Sequence, residues 1–275
     1  MTEKEGLVIK KYNGYYYVAS GGEIHTCKLR GRLKLKSFLP VTVDKVIFDA
    51  GGKEGMILWV LERKNLLRRP VIANLDLFIA TFACASPDFT PLVADKLLVL
   101  AGMSWIHAVL ILNKTYLAEE GEIKRLSETY KKAGYEVYPV SARKWDGIER
   151  LRDRINGRIC FFGSPSGAGK SSLVNAIDPS YLLVTGEISR KIGRGKHTPR
   201  YAQLLPFAGG YLSDTPGFGN LLMEDLDVAP LEGCFPEFAL YKGRCRYATC
   251  RHVKEIGCGV KDAVAKGEIA ESRYR

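Results

Sequence analysis

At 275 residues the chain is long enough for one large domain or two to three small ones, and 46% hydrophobic with 26% charged residues describes a soluble globular protein. Its longest apolar runs, such as "KLLVLAG" and "HAVLILNK", are far too short to cross a bilayer, and the opening "MTEKEGLVIKKYNGYYYV" lacks the apolar core and cleavage site of a secretory signal. The net charge is +11, and residues 1–70 hold 14 Lys and Arg against 7 Asp and Glu, which points to a polyanion-binding module at the start of a cytoplasmic protein without a membrane partner.

Short β-like runs fill that first segment: "GLVIKKY", "YYYVAS", "HTCKLRGRLKLK", "VDKVIFDA" and "GMILWVLER". Turn signals "YNG", "SGG" and "AGGKEG" separate them. About five short strands over residues 1–68 fit an all-β barrel of the OB type. Within it Lys28, Arg30, Arg32, Lys34 and Lys36 occupy every second position, with Leu29, Gly31, Leu33 and Leu35 between them. An extended run would turn all five cations to one face. A charged edge strand that only discourages aggregation is the plainer reading; five cations with no carboxylate among them favour nucleic acid. Tyr15 and Tyr17 would share one face and Tyr16 the other, so at least one belongs to the core while others are placed to stack on bases.

"NLLRRPVIAN" reads as a linker, after which the pattern becomes α/β over residues 69–226. Apolar strands are expected at 75–80, 107–112, 136–140 and 159–163, alternating with helices at 91–102, 119–133 and 145–156. That alternation predicts a mostly parallel sheet covered on both faces. The second strand ends in "ILNKTYL", where Asn113 and Lys114 stand as in the guanine-gripping Asn-Lys-x-Asp element, but Tyr116 replaces the Asp. After the strand "YEVYPV", Ser141 and Ala142 offer the backbone that commonly lines a guanine ring.

The fourth strand runs into "RICFFGSPSGAGKSSLVNAIDPS", a strand, a small-residue loop and a helix start, which is the setting a phosphate-binding loop requires. Backbone N–H groups from Ser164, Ser166, Gly167, Ala168 and Gly169 would point at phosphates, with Ser172 in the same set. Lys170 would reach the β- and γ-phosphates, and the Ser171 hydroxyl would ligate Mg²⁺. The strict pattern wants Gly where Ser164 stands; Gly163 lies one step earlier. Further on, "TGEISRKIGRGKHTPR" supplies Thr198 as a second Mg²⁺ contact, and "YLSDTPGF" supplies Asp214 for the metal and Gly217 for the γ-phosphate. The residue after Gly217 is Phe218, which cannot orient water, so His197 is the candidate to position or deprotonate it. Lys170 and Thr198 complete the catalytic set.

Residues 227–275 end the chain with "CRYATCRHVKEIGC", which spaces Cys245, Cys250, His252 and Cys258 as C-x4-C-x-H-x5-C. Three thiolates and an imidazole suit one closed tetrahedral zinc site in a segment too small for its own core. Cys27, Cys84, Cys160 and Cys234 stand outside the set as buried or free thiols.

The order of these elements is unusual, because the guanine elements precede the phosphate loop. Joining the end of the α/β segment to its beginning restores the ordinary GTPase order, so a circular permutation is expected. On these motifs, and on "GRGKHTP" at 193–199, the chain resembles the ribosome-small-subunit-dependent GTPase family, RsgA, over nearly its whole length. The resemblance implies an OB-type barrel, a permuted P-loop GTPase domain and a small helical zinc domain. It also implies a GTP hydrolase, using Mg²⁺, that acts in late maturation of the small ribosomal subunit, is activated by docking there and contacts rRNA. A monomer is the expectation. Pro199 for the family's second Thr and Tyr116 for its Asp are departures. Two other readings stay open: an rRNA-binding factor with a decayed nucleotide pocket, and an ATP-using P-loop enzyme.

Overall fold

A computed structural model describes residues 2–31, 39–68, 70–180, 203–214 and 231–275, in two compact units. The first unit takes in residues up to 77, with 155–162 and 203–214. Its strands β1 (Glu3–Tyr12), β2 (Tyr15–Ser20), β3 (Glu23–Leu29), β4 (Lys45–Asp49) and β5 (Gly55–Val60) pair in the order β1–β2–β3–β5–β4, and β4 closes back on β1. This is the expected five-stranded barrel, and closure leaves no edge among these strands. The β1–β2 hairpin turns at Asn13-Gly14, both with positive φ, the backbone that Asn-Gly favours. Val8, Tyr16, Val18, Cys27, Leu29, Val46, Phe48 and Ile57 fill the interior. Tyr16 is therefore the core tyrosine, while Tyr15 and Tyr17 face outward as the alternation predicts.

The basic run is not one strand. Pairing of β3 with β5 stops at Leu29↔Ile57, followed by one bond from Arg30 N–H to the Ile57 carbonyl at 3.2 Å. Gly31, with no side chain to pack, comes next; Arg32, Lys34 and Lys36 lie outside the described residues. The expected linker is also structured. Leu66–Arg68 (β6) and Val71–Ala73 (β7) form a hairpin whose Leu67 and Ile72 are fully buried. Its flanks are pinned by side chains: Asn65 Oδ1 accepts from Leu75 N–H at 2.9 Å, and Asn74 Oδ1 accepts from Lys64 N–H at 2.9 Å. Buried Asp44 takes a two-pronged grip from Arg63, 2.7 Å on each oxygen.

The second unit holds residues 78–154, 163–180 and 231–275 among those described. Strands β8 (Leu77–Ala83), β9 (Ala108–Asn113) and β10 (Glu136–Pro139) are parallel neighbours in that order. Every residue of β8 and β9 is buried, as strands covered on both faces must be. Helices α1 (Pro91–Met103), α2 (Glu120–Lys132) and α3 (Ile148–Ile155) lie close to expectation. Pro91 starts α1 where its missing N–H costs nothing, and α2 carries Glu120 and Glu122 in its first turn with Lys131 and Lys132 in its last, matching the helix dipole. In the first unit, strand β11 (Ile159–Gly163) pairs in parallel with β13 (Gly210–Asp214), itself paired antiparallel to β12 (Gln203–Phe207), and the chain after β11 runs on into helix α4 (Lys170–Ile177).

The last segment is a 3₁₀ turn (Leu231–Cys234) and three short helices, α5 (Pro236–Lys242), α6 (Gly259–Ala265) and α7 (Glu271–Tyr274). Arg273 of α7 is buried, 1% exposed, between two carboxylates: its Nη1 donates to Asp95 of α1 at 2.6 Å, and its Nε and Nη2 donate to Glu237 of α5. The rings of Tyr130, Tyr135 and Phe235 stand 5.2–5.5 Å from the guanidinium. Burial pushes the Asp95 carboxyl upward, and the Arg273 charge opposes that shift.

Candidate nucleotide site and metal centre

Strand β11 ends at Gly163, where a Cβ would come within 2.7 Å of the Phe78 ring. That packing explains a glycine one step before the position the strict phosphate-loop pattern prescribes. The chain then passes through Ser164 and Pro165, both half-buried, exposed Ser166 and Gly167, and buried Ala168. Gly169 adopts a left-handed φ of 83° and caps α4, and a Cβ there would meet the Asn113 amide nitrogen at 2.5 Å. Lys170, Ser171 and Ser172 form the first turn of α4 and are half-buried, and the N-terminal turn of a helix is a place where backbone N–H groups can bind an anion.

Asn113, at the end of β9, is 2% exposed and does two things. Its Nδ2 donates to the Ala168 carbonyl at 3.0 Å, and its Oδ1 accepts from Ala142 N–H at 3.3 Å. One amide thus joins the end of β9, the Ser141-Ala142 loop and the loop between β11 and α4. Ser141 closes that loop through reciprocal backbone bonds with Asp146, at 3.0 and 3.2 Å, while its Oγ accepts from Lys144 N–H at 3.0 Å. Lys114 turns the chain with φ 61°, and its ammonium donates to the Ser86 carbonyl. The 3₁₀ turn Thr115–Leu117 follows, tied back by Thr115, whose Oγ1 donates to the Val140 carbonyl at 3.2 Å. Tyr116 is half-buried in that turn, with the Arg143 guanidinium 5.5 Å from its ring centre.

So Asn113, Ala142, Ala168 and Gly169, far apart in sequence, meet within hydrogen-bond reach, and Lys114, Tyr116 and Ser141 border them. Asp214 is the last residue of β13. His197, Thr198 and Gly217 lie outside the described residues. Lys28 lies on β3 and is paired at 2.6 Å with Glu54, an exposed pair that contributes little to stability. Sequence reading had no reason to single out Ser86 or Arg143, since each is identified only by what it touches across the fold.

Cys245, Cys250, His252 and Cys258 also come together, with ligand atoms all within 4.8 Å of one another. His252 Nδ1 lies 3.6 Å from Cys245 Sγ and 3.4 Å from Cys258 Sγ. Metal bonds of about 2.3 Å to sulfur and about 2.0–2.1 Å to nitrogen put tetrahedral neighbours roughly 3.5–3.8 Å apart, so this donor set fits zinc. The surrounding core is small, namely Phe238, Val260, Ala263 and Ile269 beside two of the ligands. Cys27, Cys84, Cys160 and Cys234 are buried and outside any disulfide, and burial pushes the Cys27 and Cys84 thiols up to about 11. No described helix is long and apolar enough to cross a membrane.

A closed OB-type barrel, a parallel α/β layer with a phosphate loop, and guanine elements that precede this loop in the chain define a circularly permuted P-loop GTPase. Comparison with known proteins agrees. Residues 60–224 match the family model "RsgA GTPase" and residues 5–57 match "RsgA N-terminal domain". The chain belongs to the RsgA GTPase family. It is 43% identical over 274 residues to a protein of Carboxydothermus hydrogenoformans and 42% identical over 272 residues to one of Moorella thermoacetica, both named small ribosomal subunit biogenesis GTPase RsgA. Those alignments cover 98% of this chain in each case, with 94% and 93% of the respective relatives. Among solved structures, YjeQ from Thermotoga maritima superposes with a TM-score of 0.85 at 37% identity, covering 99% of this chain and 95% of that one. YloQ, described as a circularly permuted GTPase, gives 0.81 at 31% identity, covering 99% and 92%.

Proposed function

We propose that this protein hydrolyses GTP in the maturation of the small ribosomal subunit and that docking on the subunit raises its turnover. The observation that carries the reading is the Asn113 amide, which fastens the guanine-side strand to the phosphate loop at Ala168 and to Ala142. Base and phosphates are then read by one fixed set of groups, and little ordering is left for the nucleotide to impose. The loop N–H groups and the start of α4 would stabilise charge on the transferring phosphoryl group, with Lys170 on the β- and γ-phosphates. Mg²⁺ arriving with the nucleotide supplies charge neutralisation, and the Ser171 hydroxyl is the described group suited to hold it. With Phe218 after Gly217, His197 is left to position the attacking water, which supports slow turnover away from the subunit.

The names of the relatives support the small subunit as partner. Contact with rRNA is supported by the outward face of the barrel, where Lys10 lies 5.6 Å from the rings of Tyr12 and Tyr17 and Lys28 lies 5.1 Å from Tyr15. Interleaved cations and aromatics suit phosphates and unstacked bases together. The division into barrel 1–68, GTPase 69–226 and zinc domain 227–275, a zinc ion on the four ligands, a monomeric state and a cytoplasmic location complete the proposal. The test is hydrolysis of GTP and of ATP with and without purified small subunits. GTP turnover should be slow alone and rise roughly tenfold or more with subunits, since groups supplied in trans accelerate phosphoryl transfer by large factors. Preferred ATP hydrolysis, or subunit binding without turnover, would overturn it.

A further inference from the structure

Tyr116 lies in the turn after Asn113 and Lys114, with Arg143, next to Ser141 and Ala142 in the chain, 5.5 Å from its ring centre, which in the nucleotide-site reading is the end that meets the base. We propose that Tyr116 makes this site indifferent to the 2-substituent of a purine, so that selectivity rests on the 6-oxo group and the nucleotides of guanine, hypoxanthine and xanthine bind alike. The inference rests on the nucleotide-site reading above and concerns which bases that site takes.

Guanine presents two adjacent donors on this edge, N1–H and the 2-amino group. A carboxylate, with two oxygens and a negative charge, accepts from both and repels a 2-oxo group. A phenol has one oxygen and no charge. It can accept from an amino group or donate to a carbonyl, and it loses little when only hydrogen is present. Losing one charge-assisted bond is worth about ten- to a hundredfold in affinity. The turn cannot move to compensate, because both the N–H and the hydroxyl of Thr115 are committed to the Val140 carbonyl and Leu117 N–H to that of Lys114.

The charge at this end is also reversed. Arg143 lies over the Tyr116 ring, is exposed, and has no carboxylate partner among the described residues. A free guanidinium favours the acceptors of a 6-oxopurine and tolerates a 2-oxo group that a carboxylate would reject. The Ala142 N–H, held by Asn113 only at a long 3.3 Å, is available to share with the 6-oxo oxygen. A 6-amino group would present a donor to that same donor, so adenine remains disfavoured.

The experiment is calorimetric titration of the full chain with GDP, IDP, XDP and ADP in Mg²⁺, repeated for Tyr116→Asp and Tyr116→Phe. In the natural protein GDP, IDP and XDP should bind within roughly fivefold of one another, with ADP weaker. Tyr116→Asp should open a gap of at least about tenfold between GDP and IDP, and a wider one to XDP. Tyr116→Phe, which keeps the ring under Arg143, should leave the three close together. A natural preference for GDP over IDP of about a hundredfold, or a ratio unmoved by Tyr116→Asp, would overturn the role of Tyr116. Absence of binding by all four would overturn the nucleotide site itself, and the inference with it.

Discussion

Around Asn113 the protein is held by strands buried on both faces, and the site is made largely of backbone fixed by one buried amide. In residues 231–275 the helices are short, the apolar core is small, and the polar groups gather at a few points: the cluster of three cysteines and a histidine, and Arg273 with its two carboxylates. The first region spreads its stability over many contacts, so single changes there should alter binding more than folding. The second concentrates it, so single changes should alter folding and leave nucleotide binding alone. Cheap redundancy in one place and costly uniqueness in the other is what separates a scaffold that carries a site from a segment fastened onto it.

Removing one metal ligand should have the largest effect, because structural zinc contributes about 10–16 kcal/mol of binding free energy to small domains. Cys250→Ser is expected to lower zinc from one ion per chain to a minor fraction and to open the chain beyond 231 to protease. GDP affinity should stay within about twofold. Elemental analysis showing full zinc in the variant would mean that the four ligands are misassigned.

Arg273→Ala comes next. It leaves the Asp95 and Glu237 carboxylates buried without their cation, a loss of about 3–5 kcal/mol where one partner of a buried pair is removed. Denaturant unfolding of the variant measures this directly, and a loss below about 1 kcal/mol would show that the burial around Arg273 carries the stability by itself. Smallest in stability is Gly169→Ala, where a left-handed backbone costs roughly 1–2 kcal/mol in any residue with a Cβ. Because that Cβ would push on the Asn113 amide, nucleotide affinity should fall by about tenfold or more. Equal affinity with lowered stability would blur the contrast between the two regions.

Elements set by local chemistry were legible in the sequence. The βαβ alternation, the strand, small-residue loop and helix start at 159–177, and the clustering of Cys245, Cys250, His252 and Cys258 follow from residues close along the chain, and each appears where expected. The departures share a cause. The basic run reads as one long strand, yet β3 ends at Leu29, the last residue that pairs with β5, which no property of residues 28–36 reveals. The stretch 65–74 reads as a linker because Arg68, Arg69 and Pro70 outweigh Leu67 and Ile72, whose burial depends on the rest of the first unit. Asp95 stands beside Lys96 in a mostly apolar helix, with nothing local to mark it, and its partner lies 178 residues away. The contact of Arg143 with Tyr116 is likewise invisible until the fold brings them together.

That distance between Asp95 and Arg273 has a consequence in time. A chain is made from its N-terminus, so α1 emerges long before the residue that neutralises its buried acid. Throughout that interval Asp95 and later Glu237 lack their cation. A chain cut short anywhere between the two would carry the uncompensated acid for good. Until Arg273 is made, the Asp95 carboxylate is better left in water than buried, so the docking of α7 on α1 falls among the late steps of folding.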